Sequence, residues 1–196
     1  TPLIAEYYAQ RASAGLIITE GVAAPADGLG YARIPGIYTL QQMQAWQAVA
    51  DAIHAKGGLA FMQLMHTGRI GHIENLPEGA QLVGPSSLAA HAKIYIDGKG
   101  LVDMPQPLGM SVSKIHESIA AYAQAAQFAI DAGFDGVELH AASGYLPNQF
   151  LATNANMRTD DYGGSFENRS RYVLEMVQAV CNTIGGDRVG IKFSPG

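Results

Sequence analysis

The sequence has little of what marks several large classes of protein. Its 196 residues include one cysteine, Cys181, so no internal disulfide can form and a reducing, cytoplasmic location is expected. No apolar run approaches the roughly 20 residues that a membrane-spanning helix needs. Charged residues are only 15% of the chain, and the net charge of −5 comes without a basic stripe, which argues against a nucleic-acid partner. What remains is one globular domain, 48% hydrophobic, with enough apolar residues for a sizeable core.

Two kinds of binding site are also missing from the sequence. No Gly-x-Gly-x-x-Gly motif follows an apolar run, which counts against a dinucleotide site of the Rossmann type. No cluster of Cys, His or Asp has the spacing of metal ligands, so no metal is expected. His66, within the segment His66-Thr-Gly-Arg69, is therefore interpreted as a structural residue where a strand meets a loop.

What the sequence does contain is a regular alternation of helices and strands. Short runs that are apolar or rich in β-branched residues predict strands at 16–19, 59–64, 136–139 and 189–193. Helical spacing of apolar residues, together with capping residues, predicts helices at 2–14, from Thr39 to Lys56, from Ser113 to Ala132, and from Ser165 to Ile184.

This order predicts an α/β fold with parallel strands joined by right-handed crossovers. The order alone does not separate an open doubly wound sheet from a barrel. A long excursion, residues 65–111, follows the second strand, and the turn within Ile94–Val102 predicts a hairpin there. Long excursions of this kind are usually lids or binding loops.

The most informative stretch is the segment that follows the strand at 136–139. That strand delivers His140, Ser143 and Tyr145 to its carboxyl end, where ligands bind in parallel α/β folds. An imidazole, a hydroxyl and a phenol so close together can hydrogen-bond one oxygen and supply one proton. Taken by themselves, these three residues fit a buried histidine with satisfied hydrogen bonds beside a packed tyrosine ring better than they fit a site.

Two further polar residues stand at the ends of apolar strands. Gln63 carries an amide that both donates and accepts, which suits the edge of a heterocyclic ring or the capping of loop backbone. Lys192 is costly in an apolar strand unless it faces a ligand or forms an ion pair, for which Glu138 is the candidate partner.

Three separated motifs resemble those of the old yellow enzyme family of FMN-dependent ene-reductases, and they occur in the family's order over essentially the whole chain. The motifs are Gln63-Leu-Met-His-Thr-Gly-Arg69, the string His140-Ala-Ala-Ser-Gly-Tyr-Leu-Pro-Asn-Gln-Phe-Leu continued by Asn156–Arg171, and Gly190-Ile-Lys-Phe-Ser-Pro195. The resemblance implies a (β/α)8 TIM barrel, of which this chain supplies about the second to the fifth strand–helix units.

The resemblance also implies a cofactor, a reaction and a role for each site residue. FMN is expected as the bound cofactor and NADPH or NADH as the reductant, with an activated alkene such as an enone, maleimide or nitroalkene as substrate. Gln63 matches the residue that binds the flavin pyrimidine, and Lys192 stands where the family usually has Arg at the flavin N1 and O2 edge. His140 and Ser143 match the pair that binds the substrate carbonyl. At the position of Ser143, most members of the family have His or Asn. Tyr145 matches the proton donor.

The expected domain is a single partial TIM barrel spanning residues 1–196, with the remainder of the barrel missing at both ends. Two other functions stay open. One is a barrel lyase or aldolase that uses Lys192 as a Schiff-base amine. The other is an inactive half-barrel that needs a complementary chain to complete it.

Overall fold

A computed structural model describes residues 1–194, and helices and strands alternate along them as the sequence predicts. The strands are β1 (Leu16–Ala23), β2 (Leu59–Met65), β3 (Val83–Gly84), β4 (Lys93–Ile96), β5 (Gly100–Asp103), β6 (Leu108–Gly109), β7 (Gly136–His140) and β8 (Val189–Lys192). The helices are α1 (Pro2–Ala9), α2 (Leu40–His54), α3 (Val112–Asp131), α4 (Leu146–Leu151) and α5 (Phe166–Ile184). None of the helices within residues 1–194 is long and apolar enough to cross a membrane.

The centre of the fold is a parallel four-stranded sheet in the order β1-β2-β7-β8. On β2, the alternate residues Ala60, Met62 and Leu64 are fully buried in the core with residues of α2, α3 and α5. The residues between them face the other way, and Leu59 is 52% exposed. Helices therefore cover one face of the sheet only. A doubly wound sheet buries both faces, whereas a barrel places its helices outside, so the partial barrel is the architecture that fits.

The long excursion contains the predicted hairpin. Strands β4 and β5 pair antiparallel, with Ile94 opposite Val102 and the left-handed Gly98 in the turn. The excursion is attached to the loop after α4 by Arg158, whose Nη1 donates to the Pro85 carbonyl at 2.9 Å and also to the Met110 carbonyl. The excursion is thus an ordered layer beside the carboxyl ends of the strands.

Two of the predicted helix starts are confirmed and one is wrong. Thr39 caps α2 through a capping box, and Ser165 caps α5. The third helix is capped by Ser111 and not by Ser113, because the Ser111 hydroxyl accepts a hydrogen bond from the Lys114 backbone N–H. Both serines fit the sequence pattern, and only the extended backbone at Ser111 selects the cap.

Other predicted bounds also differ from the structure. The first strand, predicted at 16–19, runs on to Ala23, and the second helix ends at His54 and not at Lys56. The first helix ends at Ala9, and residues Ala12–Ala14 form a separate 3-10 turn that Gly15, with φ of 86°, terminates. Short 3-10 segments are common at helix ends, where they tighten the last turn. The last strand ends at Lys192, so Phe193 lies just beyond it.

Candidate functional site

The strand register brings the predicted site residues to one end of the sheet. Gln63 on β2 is directly opposite Glu138 on β7, and His140 on β7 is directly opposite Lys192 on β8. Because all four strands are parallel, their carboxyl ends meet at a single edge, where ligands bind in such folds.

Gln63 has its side-chain amide fixed by a neighbouring carboxylate. The side chain is 9% exposed, and its Nε2 donates to Glu138 Oε1 at 2.6 Å. An amide oxygen and a carboxylate oxygen are both acceptors and would repel each other at this distance, so the amide atom next to Glu138 is the NH2 nitrogen. Gln63 therefore does not cap loop backbone with Nε2, and its Oε1 is left to accept a hydrogen bond from a ligand.

Lys192 does not form the ion pair with Glu138 that the sequence suggests as an alternative. Among residues 1–194, Glu138 bonds to Gln63 and makes no ion pair with Lys192. Lys192 lies at the exposed end of β8, and its backbone carbonyl accepts from the Ala141 N–H at 3.0 Å. The ammonium remains available to an anionic group, as a ligand-facing lysine requires.

His140 is arranged as a neutral hydrogen-bond donor. Its ring is buried, and Nδ1 accepts from the Ala142 backbone N–H at 3.3 Å, so the ring proton is on Nε2. Burial lowers the pKa of His140, the charge of Lys192 lowers it further, and Glu138 opposes both. The imidazole thus stays uncharged near neutral pH and presents Nε2–H to a ligand.

The depressed pKa of His140 has a consequence for stability. The ordinary pKa of histidine is about 6.5, and above it the imidazole is neutral in both the folded and the unfolded chain. As the pH falls, the unfolded chain takes up the proton more readily than the folded chain, so the free energy of unfolding decreases until the pH has passed through the folded-state pKa. We expect His140→Gln to reduce the loss of unfolding free energy between pH 7.5 and pH 5. Urea unfolding at both pH values measures this difference, and an equal loss in both proteins would contradict it.

Tyr145 packs directly against His140. The two ring centroids are 4.8 Å apart with the planes tilted by 56°, and the Tyr145 hydroxyl lies 3.4 Å from the hydroxyl of Tyr31. Burial raises the pKa of Tyr31, and the hydrogen bond with Tyr145 raises it further. Tyr31 was missed from the sequence, where the only signal for it was its place in the loop after β1.

Ser143 lies in the same loop, and among residues 1–194 no hydrogen bond joins its hydroxyl to His140. Its backbone is left-handed, with φ of 56°, and Gly144 after it has φ of 74°. The side chain is exposed and makes no hydrogen bond within residues 1–194. A left-handed backbone is strained for serine and is better tolerated by asparagine, the residue type that the resembling family often has here.

The segment from His66 to Arg69 forms a buried junction beside the site. His66 is fully buried, Nδ1 accepts from the Gly68 N–H at 3.0 Å, and Nε2 faces Asp27 Oδ1 at 3.4 Å. Burial raises the pKa of Asp27, but His66 and the Lys114 ammonium at 2.8 Å outweigh it and hold that pKa far below its ordinary range. These contacts support the structural role predicted for His66. In the described part of the chain, no group of three or more His, Cys, Asp and Glu could hold a metal ion.

Comparison with known proteins matches the whole chain to one family. The sequence profile of the NADH:flavin oxidoreductase / NADH oxidase family matches residues 1–196. The chain is 45% identical over 197 residues to 12-oxophytodienoate reductase 7 of Oryza sativa subsp. japonica, covering 99% of this chain and 50% of that protein. It is 48% identical over 191 residues to the flavin oxidoreductase hxnT of Emericella nidulans, covering 97% and 48%.

Solved structures agree with this match. Morphinone reductase superposes with a TM-score of 0.93 at 46% identity, covering 98% of this chain and 53% of that one. The old yellow enzyme homologue from Zymomonas mobilis superposes with a TM-score of 0.95 at 40% identity, covering 100% and 54%. These likenesses confirm the predicted partial barrel. The chain spans about half the length of the relatives it matches.

Proposed function

The chain belongs to the NADH:flavin oxidoreductase / NADH oxidase family, and from that premise we propose that it forms the substrate-binding and proton-donating part of an FMN-dependent ene-reductase. The reaction is the reduction of an activated C=C bond, as in enones, maleimides and nitroalkenes, with NADPH or NADH as the reductant. The observation that carries the proposal is the packing of Tyr145 on His140, whose Nδ1 accepts from the Ala142 N–H, at the carboxyl end of β7. A cytoplasmic location is part of the proposal, supported by the free Cys181.

The residues at the strand ends fit the edge of a flavin ring. The Oε1 of Gln63 is free to accept from the ring N–H, because Nε2 is held by Glu138. Lys192 would offer a positive charge to the N1 and O2 edge, where reduction builds up negative charge, although it lacks the bidentate fork of arginine. Gln63 and Lys192 would hold this edge of FMN, and the bound flavin would supply the hydride chemistry that reduces the β-carbon of the alkene at the expense of the nicotinamide.

The remaining chemistry belongs to side chains of this chain. His140 would donate through Nε2 to the carbonyl or nitro oxygen and so stabilise the negative charge that develops on it. Ser143 would assist only weakly, since its hydroxyl is short and exposed. Tyr145 would deliver its phenolic proton to the α-carbon, while its contact with His140 keeps the phenol close to the bound oxygen.

A test of this function separates it from a lyase or aldolase that uses Lys192. A complete barrel that contains this chain should be isolated with bound flavin, recognisable by its visible absorbance, and should oxidise NADPH or NADH when an enone is added. Borohydride trapping of a carbonyl substrate on Lys192, without bound flavin, would favour the Schiff-base enzyme instead.

The sheet geometry supports a further proposal about how the barrel closes. Strands β1 and β8 are open edges, and the inward face carries exposed apolar side chains such as Leu16, Ile18 and Leu59. Eight strands close a barrel of this type, and its phosphate site is commonly built by the loops after the seventh and eighth strands. We propose that these four strands bind FMN tightly only with complementary strands, whether on a longer polypeptide or on a second chain.

This proposal predicts that the 196-residue chain alone binds FMN weakly. Gln63 and Lys192 reach only parts of the ring, so titration with FMN should give little quenching of flavin fluorescence. The open edges should also make the isolated chain associate with itself. Tight one-to-one binding of FMN by the monomeric chain would contradict the proposal.

A further inference from the structure

Gln149 on α4 connects two loops at the site through a fully bonded, buried side chain. The residue is 2% exposed, and its Nε2 donates to the Gly144 carbonyl at 2.7 Å and to the Thr67 carbonyl at 2.9 Å. Its Oε1 accepts from the Arg69 backbone N–H at 3.1 Å. Two carbonyl partners require the NH2 group, so the orientation of the amide is unambiguous. One side chain thus ties the loop after β7 to the loop after β2.

The loop after β2 is shaped to receive this side chain. Gly68 has a left-handed backbone with φ of 61°, and a Cβ at that position would overlap the Gln149 amide. The carbonyl of His66 accepts from the Leu146 N–H at 2.9 Å, at the start of α4. The segment His66-Thr-Gly-Arg69 is therefore the platform on which α4 and the end of the preceding loop are fixed.

The loop that Gln149 holds is strained and has few other bonds. Ser143 and Gly144 are consecutive left-handed residues, which persist only where their surroundings impose that conformation. The Gly144 N–H donates to Asn148 Oδ1 at 3.0 Å, and the Tyr145 N–H donates to the Ala142 carbonyl at 3.1 Å. Both of these bonds stay within the loop and α4, so neither fixes the loop relative to β2.

We propose that Gln149 is a positioning residue that holds Tyr145 in place against His140 and fixes the left-handed turn at Ser143. The proposal rests on the proposed ene-reductase function for its catalytic consequence, although the anchoring of the loop stands on geometry alone. Without the bond to Gly144, the backbone bond from Leu146 to His66 still holds the end of the loop, but the left-handed turn at Ser143 and Gly144 can relax. The Tyr145 phenol would then lose its fixed distance to the substrate, and displacements of about 1 Å can cost on the order of 10²-fold in rate.

The chain offers a matched control for this proposal. Asn156 is also buried, its Nδ2 donates to the carbonyls of Phe150 and Tyr162 at 2.8 and 2.7 Å, and its Oδ1 accepts from the Arg158 N–H at 3.1 Å. Gln149→Met and Asn156→Leu each replace an amide by an apolar side chain of similar size. Each removes two donated bonds and one accepted bond, but only Gln149 reaches the loop that carries Tyr145.

Amide hydrogen exchange tests the anchoring without any cofactor. Gln149→Met should speed exchange at Gly144, Tyr145 and Leu146 by about 10-fold or more relative to the parent chain, since local opening becomes easier. Asn156→Leu should leave those three amides within about 2-fold. Gln149→Glu, whose buried carboxyl keeps the bond from Arg69 and, when protonated, can donate to only one of the two carbonyls, should still speed exchange if Gln149→Met fails to fold. Equal exchange in parent and Gln149 variants would overturn the proposal.

The catalytic consequence is tested by a double-mutant cycle in the completed, FMN-loaded barrel. Gln149→Met should slow the enone half-reaction by about 10-fold or more, and by less than about 2-fold when Tyr145→Phe is already present, because residues that act together are not additive. A general structural defect would instead give the same fold loss in both backgrounds, and that result would overturn the positioning role. Faster loop exchange in a protein that never reduces enones would refute the proposed function and leave the anchoring intact.

Discussion

Tyr145→Phe is expected to slow the enone half-reaction by about 10²- to 10⁴-fold, the usual worth of a positioned proton donor. The half-reaction with NADPH or NADH should change little, because hydride transfer to the flavin needs no proton from a phenol. Phenylalanine keeps the ring that packs 4.8 Å from His140, so the substitution removes the hydroxyl and spares the packing. Stopped-flow measurement of the two half-reactions in the completed, FMN-loaded barrel separates the two rates.

Tyr31 provides the control for this experiment. Its hydroxyl lies 3.4 Å from that of Tyr145, so Tyr31→Phe removes a phenol of the same site without removing the proposed donor. We expect the enone half-reaction of Tyr31→Phe to fall by less than about 10-fold, the effect of one neutral hydrogen bond. Comparable losses in both half-reactions of Tyr145→Phe would mean that Tyr145 is structural.

The second large effect is expected in the binding of a phenolic ligand, whose phenolate oxygen occupies the place proposed for the substrate oxygen. His140→Ala should weaken binding by about 10- to 150-fold, because a hydrogen bond to a charged oxygen is worth roughly 1.5–3 kcal/mol. Ser143→Ala should weaken it by no more than about 5-fold, since a neutral bond is worth about 1 kcal/mol. Spectral titration of the FMN-loaded protein gives both dissociation constants.

The structural reason for this ranking is the difference in how the two side chains are held. His140 is buried with its Nδ1 bonded to the Ala142 N–H, so its Nε2 points in a fixed direction. Ser143 is exposed on a left-handed backbone. Ser143→Asn should tighten the ligand, because asparagine reaches further and tolerates that backbone better. A greater loss from Ser143→Ala than from His140→Ala would reverse the assignment.

Much of the fold could be predicted because its elements are specified locally. Apolar runs of strand length and helical spacing gave the four strands of the sheet, and a capping box placed the start of α2. The errors were also local. Ser111 and Ser113 both satisfy the capping pattern, and the 3-10 turn at Ala12–Ala14 continues the helical spacing that precedes it.

The site was predicted only as far as its residues belong to motifs. Gln63, His140, Ser143, Tyr145 and Lys192 were named from the sequence, and the register brings the strand-end residues together. Their roles in catalysis stay predictions. The hydrogen-bond partners could not be read from the sequence, because Glu138 is 75 residues from Gln63 and Tyr31 is 114 residues from Tyr145.

The sequence by itself determined the alternation of helices and strands, the hairpin and the identity of the motif residues, since each depends on neighbours along the chain. Only the tertiary structure decided that helices cover one face of the sheet. It also decided that Glu138 orients the Gln63 amide and does not form an ion pair with Lys192. The hydrogen bonds by which Gln149 connects the Tyr145 loop to Thr67 and Arg69 likewise belong to the tertiary structure. These features depend on which strands become neighbours and in what register. Strand neighbours and register are selected by the burial of a core that distant segments share. The free energy of that burial depends on the whole fold, so it cannot be read from a local sequence pattern.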